Sequence, residues 1–328
     1  MKVETRGRGV LLPELKLALD TSAPGYRSLV SHAHGDHIPW DAREADCTPE
    51  TADLLAIRKP DLATTRRAFG ETFNAGKAKV TFHPAGHILG SALTLIEAPD
   101  GETLLYTGDT KTREPVTTRA ASYPRADVLV VESTFGLPIY RFPETEVLQE
   151  KAAAFARAAL DKGEVPVFLG YALGKSQEIL GILTRAGIPT IAHGAVWSMC
   201  SVYEKHGVAF PLTRPYAAGD TEGAALVVPG SAADSPMITK LDHRIAYCSG
   251  WARLQSARTQ MDADLLLPLS DHADYPGLCE IVERVAAKKV YANHGYADVF
   301  AHLLRKQGHD ASPLLVGHVE EEDAAGVS

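Results

Sequence analysis

The sequence predicts an α/β fold built as two units, and three patterns predict it. Short apolar runs in the first 136 residues lead into histidines or acidic residues, as when buried strands deliver polar groups to a sheet edge. From about Thr145 the pattern changes to strand–helix alternation with apolar periodicities of its own. At 328 residues the chain also exceeds the size at which one hydrophobic core keeps growing.

In chain order, Lys16–Asp20 and Ser28–Val30 read as strands, the second leading into a histidine-rich loop. Lys79–Phe82 and Ala92–Ile96 are rich in β-branched and aromatic residues and read the same way. Thr103–Thr107 runs into Gly108-Asp109, and Asp127–Val131 into Glu132. Beyond Thr145, Leu148, Ala152, Phe155 and Ala159 share one helical face, which stops at Lys162-Gly163. Val165–Leu169 predicts a strand, followed by a helix carrying Ile179, Leu180 and Leu183 that ends near Gly187. The alternation continues to Leu265–Leu267, after which Ser270-Asp271-His272 opens another polar loop. The predicted units are therefore 1–136 with 270–328, and 137–269 between them.

Composition narrows the class. With 45% hydrophobic and 23% charged residues the chain is globular rather than fibrous or disordered. The polar start, Met1–Arg6, is unlike a signal peptide, and no apolar run reaches membrane-spanning length. Cys47, Cys200, Cys248 and Cys279 form no CxxC pair, which argues against a disulfide framework or thiolate zinc site and for a reducing cytoplasm. The net charge of −8 counts against a polyanionic substrate, but modestly. Part of it sits in the Glu320–Asp323 run, and a cation-bearing site can be locally positive.

The strongest signal is Ser31-His32-Ala33-His34-Gly35-Asp36-His37. Alternate residues of an extended segment point the same way, so His32 and His34 can share one metal, with Asp36 and His37 turning toward a second. His87 lies in a Gly-flanked turn, and Asp109 at a strand end, where a carboxylate can bridge two cations.

This arrangement resembles the metallo-β-lactamase superfamily, whose HxHxDH segment precedes separated His, Asp and His ligands. The implied fold is an αββα sandwich, and Asp20 matches the structural aspartate before the motif. Glu132-Ser133-Thr134-Phe135-Gly136, Ser270-Asp271-His272-Ala273-Asp274 and Asn293-His294-Gly295 resemble motifs A, B and C of the β-CASP nucleases, with 137–269 as the inserted α/β domain. Overall length and motif wording are most similar to the bacterial DNA ligase-associated exonucleases. The resemblance implies a first metal on His32, His34 and His87, a second on Asp36, His37 and His294, and Asp109 bridging. Histidine and aspartate donors favour Zn²⁺, with Mn²⁺ also accepted.

Two such cations, about 3.5–4 Å apart, would acidify a hydroxide and neutralise the attacked phosphate. By resemblance His272 is the general acid and Glu132 orients it and raises its pKa. The implied activity is a DNA exonuclease of repair, linked to a ligase and a helicase. An RNA-processing nuclease of the same fold and a lactam or thioester hydrolase are the alternatives. Lys175 and Ser176, where a glycine turn opens a helix, are candidate phosphate contacts, or a plain helix start. Trp251 could stack on a base beside Arg253, with Arg258 further on, or be an ordinary core tryptophan. His83, His193 and His243 read as structural.

Overall fold

The computed structural model describes residues 1–314, so the Glu320–Asp323 run lies outside the described residues. The described chain divides into two compact units, one comprising residues 1–141 and 272–314, the other Phe142–Asp271.

The first unit holds two sheets. One has six strands in chain order from Glu4–Arg6 to Ala63–Arg66. The other has seven, ordered Ala311–Pro313, Lys289–Asn293, Val128–Glu132, Thr103–Tyr106, Ala92–Glu97, Ala78–Pro84 and Thr72–Ala75. Strand periodicity fixes their layering, because successive side chains point to opposite faces. Val128 and Val130 join Leu104 and Tyr106 in a core shared with Val10, Leu17 and Leu19 of the first sheet. Leu129, Val131 and Leu105 face the other way, onto Leu278, Ile281 and Phe300 of helices Tyr275–Val285 and Ala297–Lys306. Helix Pro49–Arg58 lies against strand Ala63–Arg66 of the first sheet, completing helix, sheet, sheet and helix layers.

That last helix is absent from the sequence reading, which took the region as strands and turns. Its local signals are present: the Thr48 hydroxyl accepts the Thr51 N–H at 3.2 Å, and Pro49 occupies the first turn.

The second unit has a six-stranded sheet, ordered Thr213–Pro215, Thr190–Ala192, Ala225–Pro229, Val165–Gly170, His243–Cys248 and Leu265–Leu267. Every pairing in it is parallel. Helices Lys175–Arg185 and Gly194–Lys205 supply crossovers that such pairing needs, and Thr145–Leu160 leads into the first strand, Val165–Gly170. The units part at 141/142 and 271/272, against the expected 136/137 and 269/270. The first shift has a local reason. The Tyr140 carbonyl accepts the Tyr275 N–H at 3.1 Å and the Tyr140 ring packs 4.9 Å from Phe135, holding this stretch to the first unit. Among the described residues no helix is long and apolar enough to cross a membrane.

Phe82 is fully buried between the two sheets, its ring 5.6 Å from Phe73. Phe82→Ala is expected to lower the stability of the first unit by about 3–5 kcal/mol. Urea denaturation checks it, and an unchanged midpoint would contradict the shared core.

Candidate metal centre

All the histidines of the first motif lie just past strand Arg27–Leu29, in a loop that ends in the short helical turn Gly35–His37. One buried carboxylate organises them. Asp20, with φ of 53°, accepts the Ser31 N–H at 2.6 Å, the Ser31 hydroxyl at 2.6 Å and the Tyr106 hydroxyl at 2.8 Å. It also lies 2.7 Å from His37 Nδ1. Ser31 Oγ, having donated to Asp20, is left to accept from His32 Nδ1 at 2.9 Å. Both rings thus carry their proton on Nδ1, and each Nε2 is left as a donor atom turned inward.

Asp109 lies where those nitrogens converge. Its Oδ2 is 3.3 Å from His37 Nε2, 3.4 Å from His32 Nε2 and 3.7 Å from His87 Nε2. The donor atoms of His32, His34, His87 and Asp109 all lie within 4.8 Å of one another. Asp36 Oδ2 is 3.5 Å from His37 Nε2, and the His294 ring is 5.4 Å from that of His37. His32 Nε2 and His294 Nε2 are buried without a hydrogen-bond partner. A buried nitrogen lone pair with nothing to accept is costly, and a cation satisfies it.

Backbone geometry secures the more distant members. Gly108 has φ of +50°, and a Cβ there would lie 2.5 Å from Ser31 Oγ, so only glycine lets Asp109 approach the first motif. Strands Val128–Glu132 and Lys289–Asn293 pair in parallel with Glu132 opposite Asn293, which puts motif A and His294 at one sheet end. The Ser133 hydroxyl then donates to the carbonyls of Asn293 at 3.0 Å and His294 at 2.5 Å.

The charges suit a divalent cation. Burial would raise the Asp109 carboxyl, but His37 and His272 hold it well below the usual carboxylate range. Burial, then repulsion from His32, His272 and His34, pushes His87 well below its ordinary value, so it is the neutral ligand form. Burial also lowers His294. His37 is the reverse: burial opposes its charge, yet Asp109, Asp36 and Asp20 raise it well above the usual value. Three carboxylates demand positive charge at that ring, and a cation in place of the proton meets the demand. The nitrogen and carboxylate donors present fit the two-metal arrangement expected.

Beside this cluster, Glu132 and His272 are paired. His272 Nδ1 is 2.9 Å and 3.1 Å from the two Glu132 oxygens. The Glu132 side chain is fully buried and that of His272 is 22% exposed. Glu132 also accepts the Thr110 N–H at 2.7 Å, and the Thr110 carbonyl accepts the Ala273 N–H at 2.7 Å, which anchors the loop carrying His272. The rings of His87 and His272 are 4.7 Å apart.

The expected phosphate cradle at Lys175 and Ser176 is corrected. Lys175 is a buried residue of the second unit, its ammonium 2.5 Å from Asp271 and 3.2 Å from Glu178. The charge is spent on two buried carboxylates and is not open to a phosphate. Ser176 is also fully buried. In the turn Gly250–Arg253, Trp251 is half-buried and Arg253 exposed. His193 accepts the Ala195 N–H as a helix cap, His243 Nδ1 is 2.9 Å from the Leu241 carbonyl, and His83 joins no metal-ligating cluster among the described residues.

Sequence reasoning missed three contributors. Ser31 relays Asp20 to His32, and Tyr106 supports Asp20 from across the core. Arg8 donates to Asp36 Oδ2 at 3.0 Å. Ser31 sat in the motif, but nothing local distinguishes Arg8 from a solvated arginine.

Fold and site together define a metallo-β-lactamase scaffold whose buried histidines and aspartates could bind metal. No family model matches the chain, but relatives do. It is 38% identical over 307 residues to a probable DNA ligase from Opitutus terrae, covering 92% of this chain and 30% of the ligase. It is 31% identical over 209 residues to an RNase J-like protein from Methanocaldococcus jannaschii, covering 53% of this chain and 49% of that one. Transcription termination factor FttA from Methanosarcina mazei is 26% identical over 223 residues, covering 54% of this chain and 34% of the factor. The chain therefore spans half or less of the length of these relatives. A protein of unknown function from Enterococcus faecalis shares the fold, with a TM-score of 0.55 at 15% identity over 82% of this chain and 75% of that one. The chain belongs to the β-CASP branch of the metallo-β-lactamase superfamily.

Because Asp20 orients His37 directly and His32 through Ser31, Asp20→Asn is expected to weaken metal binding about 10–100-fold. Competition against a chromogenic chelator reads the change; unaltered affinity would remove Asp20 from this role.

Proposed function

We propose that this chain is a metal-dependent phosphodiesterase, a DNA exonuclease of repair, and one observation carries the proposal. A histidine–glutamate pair stands beside the metal-ligating cluster, 4.7 Å ring to ring from His87, with its carboxylate wholly buried. A phosphodiester needs charge neutralisation at phosphorus and a proton for the departing oxygen, and these are separate groups here.

Divalent cations on His32, His34, His87, Asp36, His37, His294 and Asp109 would supply Lewis-acid stabilisation of the phosphate and a more acidic water. The chain's own residues do the rest. Water adds to phosphorus and releases one proton to solvent, the P–O ester bond breaks, and His272 gives its proton to the leaving oxygen and is reprotonated from solvent. Glu132 holds His272 Nδ1, which leaves Nε2 as the atom that delivers the proton. Thr110 fixes Glu132 through its N–H, so this pair is set by the backbone and not by a mobile side chain.

The DNA assignment is supported by similarity over 92% of the chain to a protein named as a probable DNA ligase, which also suggests work alongside a ligase. The RNase J-like relative favours a second reading, RNA processing. In the second unit, exposed Arg253 with half-buried Trp251 are the proposed strand contacts.

His272→Ala is expected to lower turnover about 10²–10⁴-fold while metal content, measured by atomic emission, stays at the wild-type level. Loss of metal instead would make His272 a ligand. Timed digestion of matched 5′- and 3′-labelled DNA and RNA strands, with Zn²⁺ and with Mn²⁺, tests the substrate. Shortening of DNA from one end is the expected result, and a strong RNA preference would overturn the DNA assignment.

A further inference from the structure

Among the described residues Trp40 is the most exposed large hydrophobic, with 57% of its surface open. It is not a stray surface tryptophan. Its indole N–H donates to the Gly35 carbonyl at 2.9 Å, so the ring is tied to the peptide between two candidate ligands, His34 and Asp36. Held there, the indole presents one flat face, open to solvent, beside the metal-ligating loop.

Cations surround the same loop. Lys59 Nζ lies 5.8 Å from the Trp40 ring centre. The Arg58 guanidinium rests against Gly35, its Nη2 3.5 Å from where a Cβ there would be, and its Nε is buried without a hydrogen-bond partner. Arg8 reaches Asp36 from a separate turn. Asp36 and Asp61 occupy Arg8 and Lys59, so Arg58 is the cation here with no carboxylate hydrogen-bonded to it among the described residues. On a chain of net charge −8, three basic side chains gather at this one loop, two of them already paired with Asp36 and Asp61.

We propose that Trp40 and Arg58 form a single-stranded nucleic-acid subsite at the metal centre, Trp40 stacking on a base and Arg58 meeting an adjacent phosphate. The proposal rests on the phosphodiesterase reading and deepens it. An aromatic face takes any base, and a guanidinium takes the backbone, so the subsite grips a strand without reading its sequence. A base must be unstacked to lie on an indole, so the subsite selects single strands and frayed ends over a closed duplex.

Anisotropy of a fluorescein-labelled single-stranded phosphorothioate 12-mer, and of the same strand with abasic positions, tests it on the metal-loaded chain. Trp40→Leu is expected to weaken binding about ten- to a hundredfold at unchanged metal content, and Trp40→Phe, which keeps a flat ring, far less. The abasic strand should lose affinity for the wild type and show little further loss with Trp40→Leu, while Arg58→Gln lowers the salt slope by about one. Equal binding by wild type and Trp40→Leu, or loss of metal from both Trp40 variants, would overturn the subsite and leave the phosphodiesterase standing. A wild-type chain that neither binds nor cuts any strand overturns both.

Discussion

The site depends on one buried carboxylate. Asp20 accepts from Ser31 and Tyr106, lies against His37, and through Ser31 sets His32. An imidazole free to choose its tautomer presents a proton or a lone pair inward with comparable ease, and only the lone pair binds a metal. By drawing the Nδ1 protons outward, Asp20 makes that choice before any cation arrives. The strain of its positive φ and the burial of its charge are offset by four partners in one place.

The second constraint is strand register. Asp109, Glu132 and His294 belong to three distant stretches of chain, yet they follow strands Thr103–Tyr106, Val128–Glu132 and Lys289–Asn293, which are neighbours in one sheet. Parallel pairing makes all three end on the same side, and alternation sinks their apolar residues into cores on both faces. A slip of one residue would exchange those faces and turn Glu132 away from His272. Glycine at 108 serves the same end, because a side chain there would push Asp109 off the first motif.

Electrostatics then separates binding from chemistry. Around His37, carboxylates outnumber the cations that could satisfy them, which is the condition for holding a divalent ion. Glu132 stands apart, fully buried and committed to His272 and the Thr110 N–H. A protein that is acidic as a whole can still receive a polyanion, because the charge that counts is the one within a Debye length of the site. Arg58 lies there with no carboxylate hydrogen-bonded to it among the described residues, whereas Lys175, which looked like a phosphate contact, is buried with Asp271 and Glu178.

The sequence alone determined the α/β class and the strands leading to each acidic residue, while the family resemblance its motifs carry implied the ligand set proposed for the metals. Those features are local: an apolar run ends in a polar residue, and spacing of two puts histidines on one side of an extended segment. It also carried the resemblance, because motifs A, B and C keep their order along the chain. Tertiary structure decided what contact between distant segments controls. Arg8 met Asp36, Tyr106 met Asp20, and Trp40 fastened to Gly35, none of which any local pattern encodes. Lys175 shows the reason most clearly. A lysine at the start of a helix reads as a solvated phosphate contact, and only the fold reveals that two carboxylates, one of them 96 positions away, already hold it.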